Sequence, residues 1–348
     1  MTEMLTARPI EIDGSASDVN DYFEAQEWTD GLPIIPPTED LVSAFIEAAG
    51  LPGEHQVALV PPLDGRATVE KIAINAVMAG CRAEYMPVLI AAVEAMCDER
   101  FNLGPVQATT NGAGVAVIIN GPVRHRIKLN CSRNCLGPGT RANATIGRAV
   151  RLIMLNLGGG RPEVVDKAVL GFPGKYTLCF GEIEEESPWD PLHVDRGFAR
   201  EDSVVTVVSV NSALNILTAN LSDAEDKLAF LGDPFNVRGT NNVCVGSGEV
   251  VVVLTSGDAQ VLADAGFSRA DVQRHLYMNS GIPEDEIPAK LERRARIAAV
   301  TTNGIVRQVR RPEDIMVVVA GGPEPYHAMV MPTFGHSWSA SAKVRSGT

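Results

Sequence analysis

Gly114-Val-Ala-Val-Ile-Ile-Asn-Gly121 is the stretch on which the fold turns. Residues 115–119 are apolar, mostly β-branched, and bounded by Gly114 and the Asn120-Gly121 turn signal. A strand with one wet face alternates polar and apolar residues. An unbroken run of this length marks a strand buried on both faces.

Outward from it, helical spacing takes over. Val69, Ile72, Ala73, Ala76 and Val77 stand at i, i+3, i+4, i+7 and i+8, which predicts a helix over 68–79. Further helices are predicted over 17–23, over 38–50 from the Thr38-Glu-Asp start to Gly50, and from Pro87 to Cys97. Residues 57–60, 204–210, 250–254 and 315–320 read as strands, and 258–265 and 270–278 as helices. This alternation predicts an α/β (or α+β) fold with apolar central strands and an N-terminal helical arm.

Thr-Thr-Asn-Gly occurs at 109–112 and again at 301–304. Each copy precedes an apolar strand, a Gly-Pro turn and a histidine (His125 and His327). The repeated order predicts two pseudo-repeated α/β halves, with the two loops facing each other across a cleft. The expected boundaries are an arm over 1–52, a first half over 53–200 and a second half over 201–348.

The chain has 348 residues, of which 45% are apolar and 21% charged, enough for two such halves. Lys and Arg total 30 against 43 Asp and Glu, a formal charge of −13. That balance excludes a nucleic-acid partner, since phosphate neutralisation needs clustered cations. Only Arg293, Arg294 and Arg296, and later Arg307, Arg310 and Arg311, form a basic stretch. No apolar run is long enough for a membrane span, and the first residues lack the apolar core of a secretion signal. The expected location is cytoplasmic, which also suits six cysteines in a chain of this size.

The densest segment for chemistry is N-C-S-R-N-C-L-G-P-G-T-R-A-N-A-T at 130–145. The Gly137-Pro-Gly139 turn feeds a helix start, where free N–H groups and the dipole favour an anion. Arg141 in the first turn is opposed by that dipole unless an anion lies between them. Arg141, Asn143 and Thr145, with Gly137 and Gly139, are therefore expected to bind substrate. So are the loops Thr109, Thr110, Asn111 and Thr301, Thr302, Asn303. A capped structural helix with Arg141 in an ion pair is the plain alternative. Cys131, near Arg133 and Cys135, is a candidate thiol nucleophile, against inert loop cysteines. His193 with Asp195 could act as a general base and its orienter, and Lys175 beyond the Phe172-Pro-Gly turn as a proton carrier. A divalent metal is the other use of such groups. No ligand spacing like H-E-x-x-H supports it, and no cofactor is predicted.

Six segments resemble a bacterial family associated with UGSC-type (seleno)proteins. They are W-T-D-G-L-P-I-I-P-P-T at 28–38, N-A-V-M-A-G-C-R-A-E-Y-M-P at 75–87, G-P-G-T-R-A-N-A-T-I-G-R-A at 137–149, P-G-K-Y-T at 173–177, E-S-P-W-D-P-L-H-V-D-R-G-F at 186–198 and A-D-A-G-F-S-R-A-D-V at 263–272. The likeness covers most of residues 28–340. It implies selenol or thiol chemistry, yet no C-G-S-C stands in this chain.

The leading expectation is an enzyme acting on a small anionic metabolite or xenobiotic in a cleft between the halves, by lyase, hydratase or hydrolase chemistry. One alternative is a component of a thiol- or selenol-dependent reductase completed by a partner protein. Another is a non-catalytic ligand-binding subunit. A homo-oligomer is expected, with no nucleic-acid or membrane partner.

Overall fold

The computed structural model describes residues 5–290 and 294–345. Residues 1–4, 291–293 and 346–348 lie outside the described residues, Arg293 of the basic stretch among them. Helices α1 (Ala16–Ala25), α2 (Glu39–Ala49), α3 (Val69–Ala79) and α4 (Met86–Met96) precede strand β1 (Gly114–Asn120). Helix α5 (Arg141–Asn156), β2 (Cys179–Gly181), β3 (Val204–Val210) and β4 (Leu214–Leu217) follow. Then come α6 (Ala224–Gly232), β5 (Val250–Leu254), α7 (Ser256–Asp264) and α8 (Arg269–Asn279). The last elements are β6 (Ile315–Val319), β7 (His327–Pro332) and β8 (Ala340–Lys343).

The start and stop signals act as read. Thr68 accepts from the Lys71 N–H at the start of α3, and Gly50 and Gly80 close α2 and α3 in the left-handed conformation. These eight strands form the two four-stranded sheets, ordered β8-β3-β1-β2 and β6-β5-β7-β4. In the first sheet β1 is parallel to β2 (Val117 opposite Cys179) and antiparallel to β3 (Val117 opposite Val207), and β3 is antiparallel to β8. In the second, β5 is parallel to β6 (Val250 opposite Ile315) and antiparallel to β7, and β7 is antiparallel to β4.

Alternate side chains explain the unbroken apolar runs. Val115, Val117 and Ile119 of β1 face α2, α3, α4 and α5, while Ala116 and Ile118 face Val251, Val253 and Val318 of the second sheet. Val250, Val252 and Leu254 of β5 turn the other way, toward α6, α7 and α8. The result is four layers: helices, sheet, sheet, helices. No helix among the described residues is long and apolar enough to cross a membrane.

Two expectations are corrected in detail. The boundary at 200 falls before β3, which pairs with β1, and β8 also lies in the first sheet although its residues belong to 201–348. Within the expected N-terminal helical arm, residues 39–49 form the predicted helix and place Val42, Phe45 and Ile46 in the first half's core. The second correction concerns the Thr-Thr-Asn-Gly loops. The first copy leads into β1, but the second precedes β6, whose place in its sheet matches that of β2. Thr301 and Thr302 pair with Ile305 and Val306 in a tight hairpin, with Asn303 left-handed at the turn. The first loop instead packs on residues 169–171, with the Val169 N–H donating to the Thr110 carbonyl at 3.0 Å.

Candidate functional site

Helix α5 organises the first half. Its apolar stripe, Ile146, Ala149, Val150 and Ile153, packs into the core, and its polar residues reach three other segments. Arg141 donates to the carbonyls of Gly80 (2.8 Å) and Cys81 (3.2 Å), just past the last turn of α3. A cation there complements the negative end of that helix. Asn143 is buried, accepting from the Asn130 N–H (2.9 Å) and donating to the Asn130 (2.8 Å) and Cys135 (3.1 Å) carbonyls. The Thr145 hydroxyl donates to the Arg141 carbonyl. The structure therefore gives the three side chains of the expected anion cradle protein partners of their own.

The next turn of the helix is different. Arg148 holds Asp30 through two hydrogen bonds of 2.8 Å, and donates to the Leu32 (3.1 Å) and Pro33 (2.9 Å) carbonyls. Asn156 donates to the Trp28 carbonyl (3.1 Å) and to Asn75 (2.7 Å). The Thr177 hydroxyl donates to the Ala144 carbonyl (2.8 Å). Four of the six quoted segments, 28–38, 75–87, 137–149 and 173–177, thus meet at α5.

Beside them opens a cleft of about 1050 Å³, walled by Asp30, Arg151, Arg161, Asp166, Lys175 and Tyr176 among others. Lys175 Nζ donates to Asp166 Oδ2, and Arg151 reaches the same oxygen at 3.4 Å while donating to the Gly160 carbonyl at 3.0 Å. Asp166 Oδ1 accepts from the Ala168 N–H at 3.1 Å. Burial pulls the Lys175 ammonium below the ordinary lysine range. The Asp166 carboxylate opposes that shift, and the Arg151 charge adds to it. Three mostly buried cations, Arg148, Arg151 and Lys175, face two buried carboxylates, Asp30 and Asp166.

His193 and Asp195 belong elsewhere. His193 is fully buried, with Nε2 3.2 Å from the Arg200 carbonyl and Nδ1 3.9 Å from Glu184. Asp195 accepts from Arg269 in the wall of a second cleft. Lys175 and this pair therefore cannot share one substrate pose as drawn from sequence. Burial pushes the Cys131 thiol up, and the Cys135 thiol up to about 12, so Cys135 stays protonated at neutral pH. Among the described residues no three His, Cys, Asp or Glu side chains come together as a metal site.

Sequence reasoning found Lys175 but missed Asp166, which carries no local motif. The Arg148/Arg151 spacing of i and i+3 on the polar side of α5 was the available signal for the rest. No protein-family model matches the chain, and no curated protein matches its sequence.

Proposed function

We propose that the chain is an enzyme that moves a proton on a small anionic metabolite, with Lys175 as the acid–base group in the cleft beside α5. The arrangement at Asp166 supports this reading. Two mostly buried cations, Arg151 and Lys175, share that one carboxylate, and a substrate carboxylate or phosphate supplies the second negative charge. The Lys175 ammonium, resting on Asp166, gives a proton to the leaving group or to the carbonyl oxygen of the substrate. The amine so formed takes a proton back from an attacking water or from a C–H made acidic by that carbonyl. Elimination, hydration and hydrolysis all fit this single exchange.

The test is proton NMR in D2O on a panel of small carboxylates and phosphate esters incubated with the full chain. Exchange or turnover of at least one compound is expected, falling by about 10²-fold or more in Lys175→Met, with the melting temperature of the variant checked separately. Turnover that survives Lys175→Met refutes the assignment. Saturable binding with no exchange or product supports the ligand-binding subunit instead.

A further inference from the structure

The outermost strand of a sheet has backbone hydrogen bonds left to give, and the two sheets end in β8, β2, β6 and β4. Three of these edges are closed or guarded. β2 is buried throughout. β6 is buried as well, and the Gln273 amide and the Ile183 N–H donate to its Ile315 (2.7 Å) and Val319 (2.8 Å) carbonyls. β8 carries Lys343, paired with Asp202, and Arg345 stands just beyond it; charges of this kind deter a further strand. β4 (Leu214–Leu217) is the exception.

Its backbone points outward at alternate residues. β4 pairs with β7 in unbroken antiparallel register, from Leu214 opposite Val330 to Leu217 opposite His327. The Thr218 N–H continues this ladder by donating to the Tyr326 carbonyl at 2.8 Å. Residues 214, 216 and 218 therefore turn their N–H and C=O groups to β7, and Asn215 and Leu217 turn theirs away. Among the described residues nothing bonds those outward groups. Leu214 and Leu217 are 48% and 59% exposed, and Asn215 between them is exposed too.

This edge carries none of the devices that keep strands apart. Residues 203–222 contain no Asp, Glu, Lys, Arg or His, and β4 has neither a proline nor a bulge. Charge and symmetry together favour a second copy of the chain as the occupant. Each copy carries −13, so two copies repel wherever their acidic surfaces meet, but this uncharged run meets its own kind with no like charges strand against strand. An antiparallel pair is itself twofold symmetric. With Ile216 opposite Ile216, Asn215 of each copy exchanges N–H···O=C bonds with Leu217 of the other, so each outward donor meets an acceptor. The same pairing draws Leu214 and Leu217 of both copies out of water.

We infer that β4 is the seam of a homodimer, in which two copies pair this strand antiparallel and their second sheets become one sheet of eight strands. The inference is independent of Lys175, whose cleft contains no residue of β4.

Sedimentation equilibrium of the full chain over a range of concentrations tests it, with hydrogen exchange of the 211–219 segment measured beside it. A monomer–dimer equilibrium is expected, with the amides of Asn215 and Leu217 exchanging more slowly in the dimer. Asn215→Pro removes an N–H that serves no bond within its own sheet, and Leu217→Lys puts a charge on the edge. Each should weaken the dimer at least tenfold, about 1.4 kcal/mol, while the melting temperature of the dilute monomer stays near that of wild type. Leu63→Lys, at a leucine 67% exposed on the first half, should leave the dimer as it is. A chain that remains monomeric at every concentration would overturn the inference. So would a dimer that survives both β4 variants, one weakened equally by Leu63→Lys, or one in which the Asn215 and Leu217 amides exchange as fast as in the monomer.

Discussion

Arg148→Met removes the group that ties the 28–33 segment to α5. In the wild type the Arg148 guanidinium gives Asp30 two hydrogen bonds of 2.8 Å, and the Asp30 side chain is only 3% exposed. Methionine keeps the aliphatic stem and the helix propensity, so the loss falls on the ion pair and the two carbonyl bonds. Removing one partner of a buried pair strands the other, at a cost of about 3–5 kcal/mol. Because Arg148 is itself 14% exposed, some water reaches the pair, and about 3 kcal/mol is the expected loss. Asp30→Asn keeps the shape and an amide oxygen for Arg148, whose charge also retains the Leu32 and Pro33 carbonyls, so it should cost less than Arg148→Met. Urea denaturation of wild type, both single variants and the double variant measures the loss and the coupling between the sites. A loss under about 1 kcal/mol for Arg148→Met would refute the view that this pair fixes the segment.

Other expectations follow from the same structure. The Lys175 pKa lies below its ordinary value of 10.5, so between those two points the unfolded chain binds more protons than the folded one. Wild-type stability should therefore rise with pH across that window relative to Lys175→Met, and parallel pH profiles of thermal unfolding would contradict this. Burial pushes the Cys81, Cys97 and Cys135 thiols up to about 12, so iodoacetamide at neutral pH should modify these three only after urea is added, as mass spectrometry can show. Gly121 has φ +81°, and a Cβ there would collide with the Asp202 carbonyl, so Gly121→Ala should lower stability by about 2 kcal/mol or more in the same urea assay.

Much of this architecture could be read before the fold was seen, because its central elements are long and uniform. Gly114–Asn120 and Val250–Leu254 carry enough β-branched residues to declare themselves. The helix over 69–79 has both its cap and its stripe in sequence. The edge strands were not legible. Cys179–Gly181 has three residues, and Ala340–Lys343 reads Ala-Ser-Ala-Lys, so both owe their conformation to the strand beside them. The site was half legible for a related reason. Lys175 follows a visible Pro-Gly turn, whereas Asp166 acquires meaning only when the 161–168 loop folds it onto Lys175 and Arg151. Arg141 misled because a first-turn cation invites an anion, and sequence cannot show that the carbonyls past Ala79 lie within its reach.

The strands β3 and β4 follow each other with three residues between them, as do β7 and β8 with seven, and in each pair the chain leaves one sheet for the other. The two passages cross at a single bridge, Val210 opposite Thr333. The second sheet is therefore one contiguous piece of chain, while the first is completed by a strand, β8, that comes from beyond it. A protease that nicked the connection after Val210 would produce two fragments, the second carrying the whole second sheet and also β8, which stays paired with β3 of the first fragment. Such fragments should stay clasped through gel filtration and separate only in denaturant, and when expressed apart they should recover structure only on mixing.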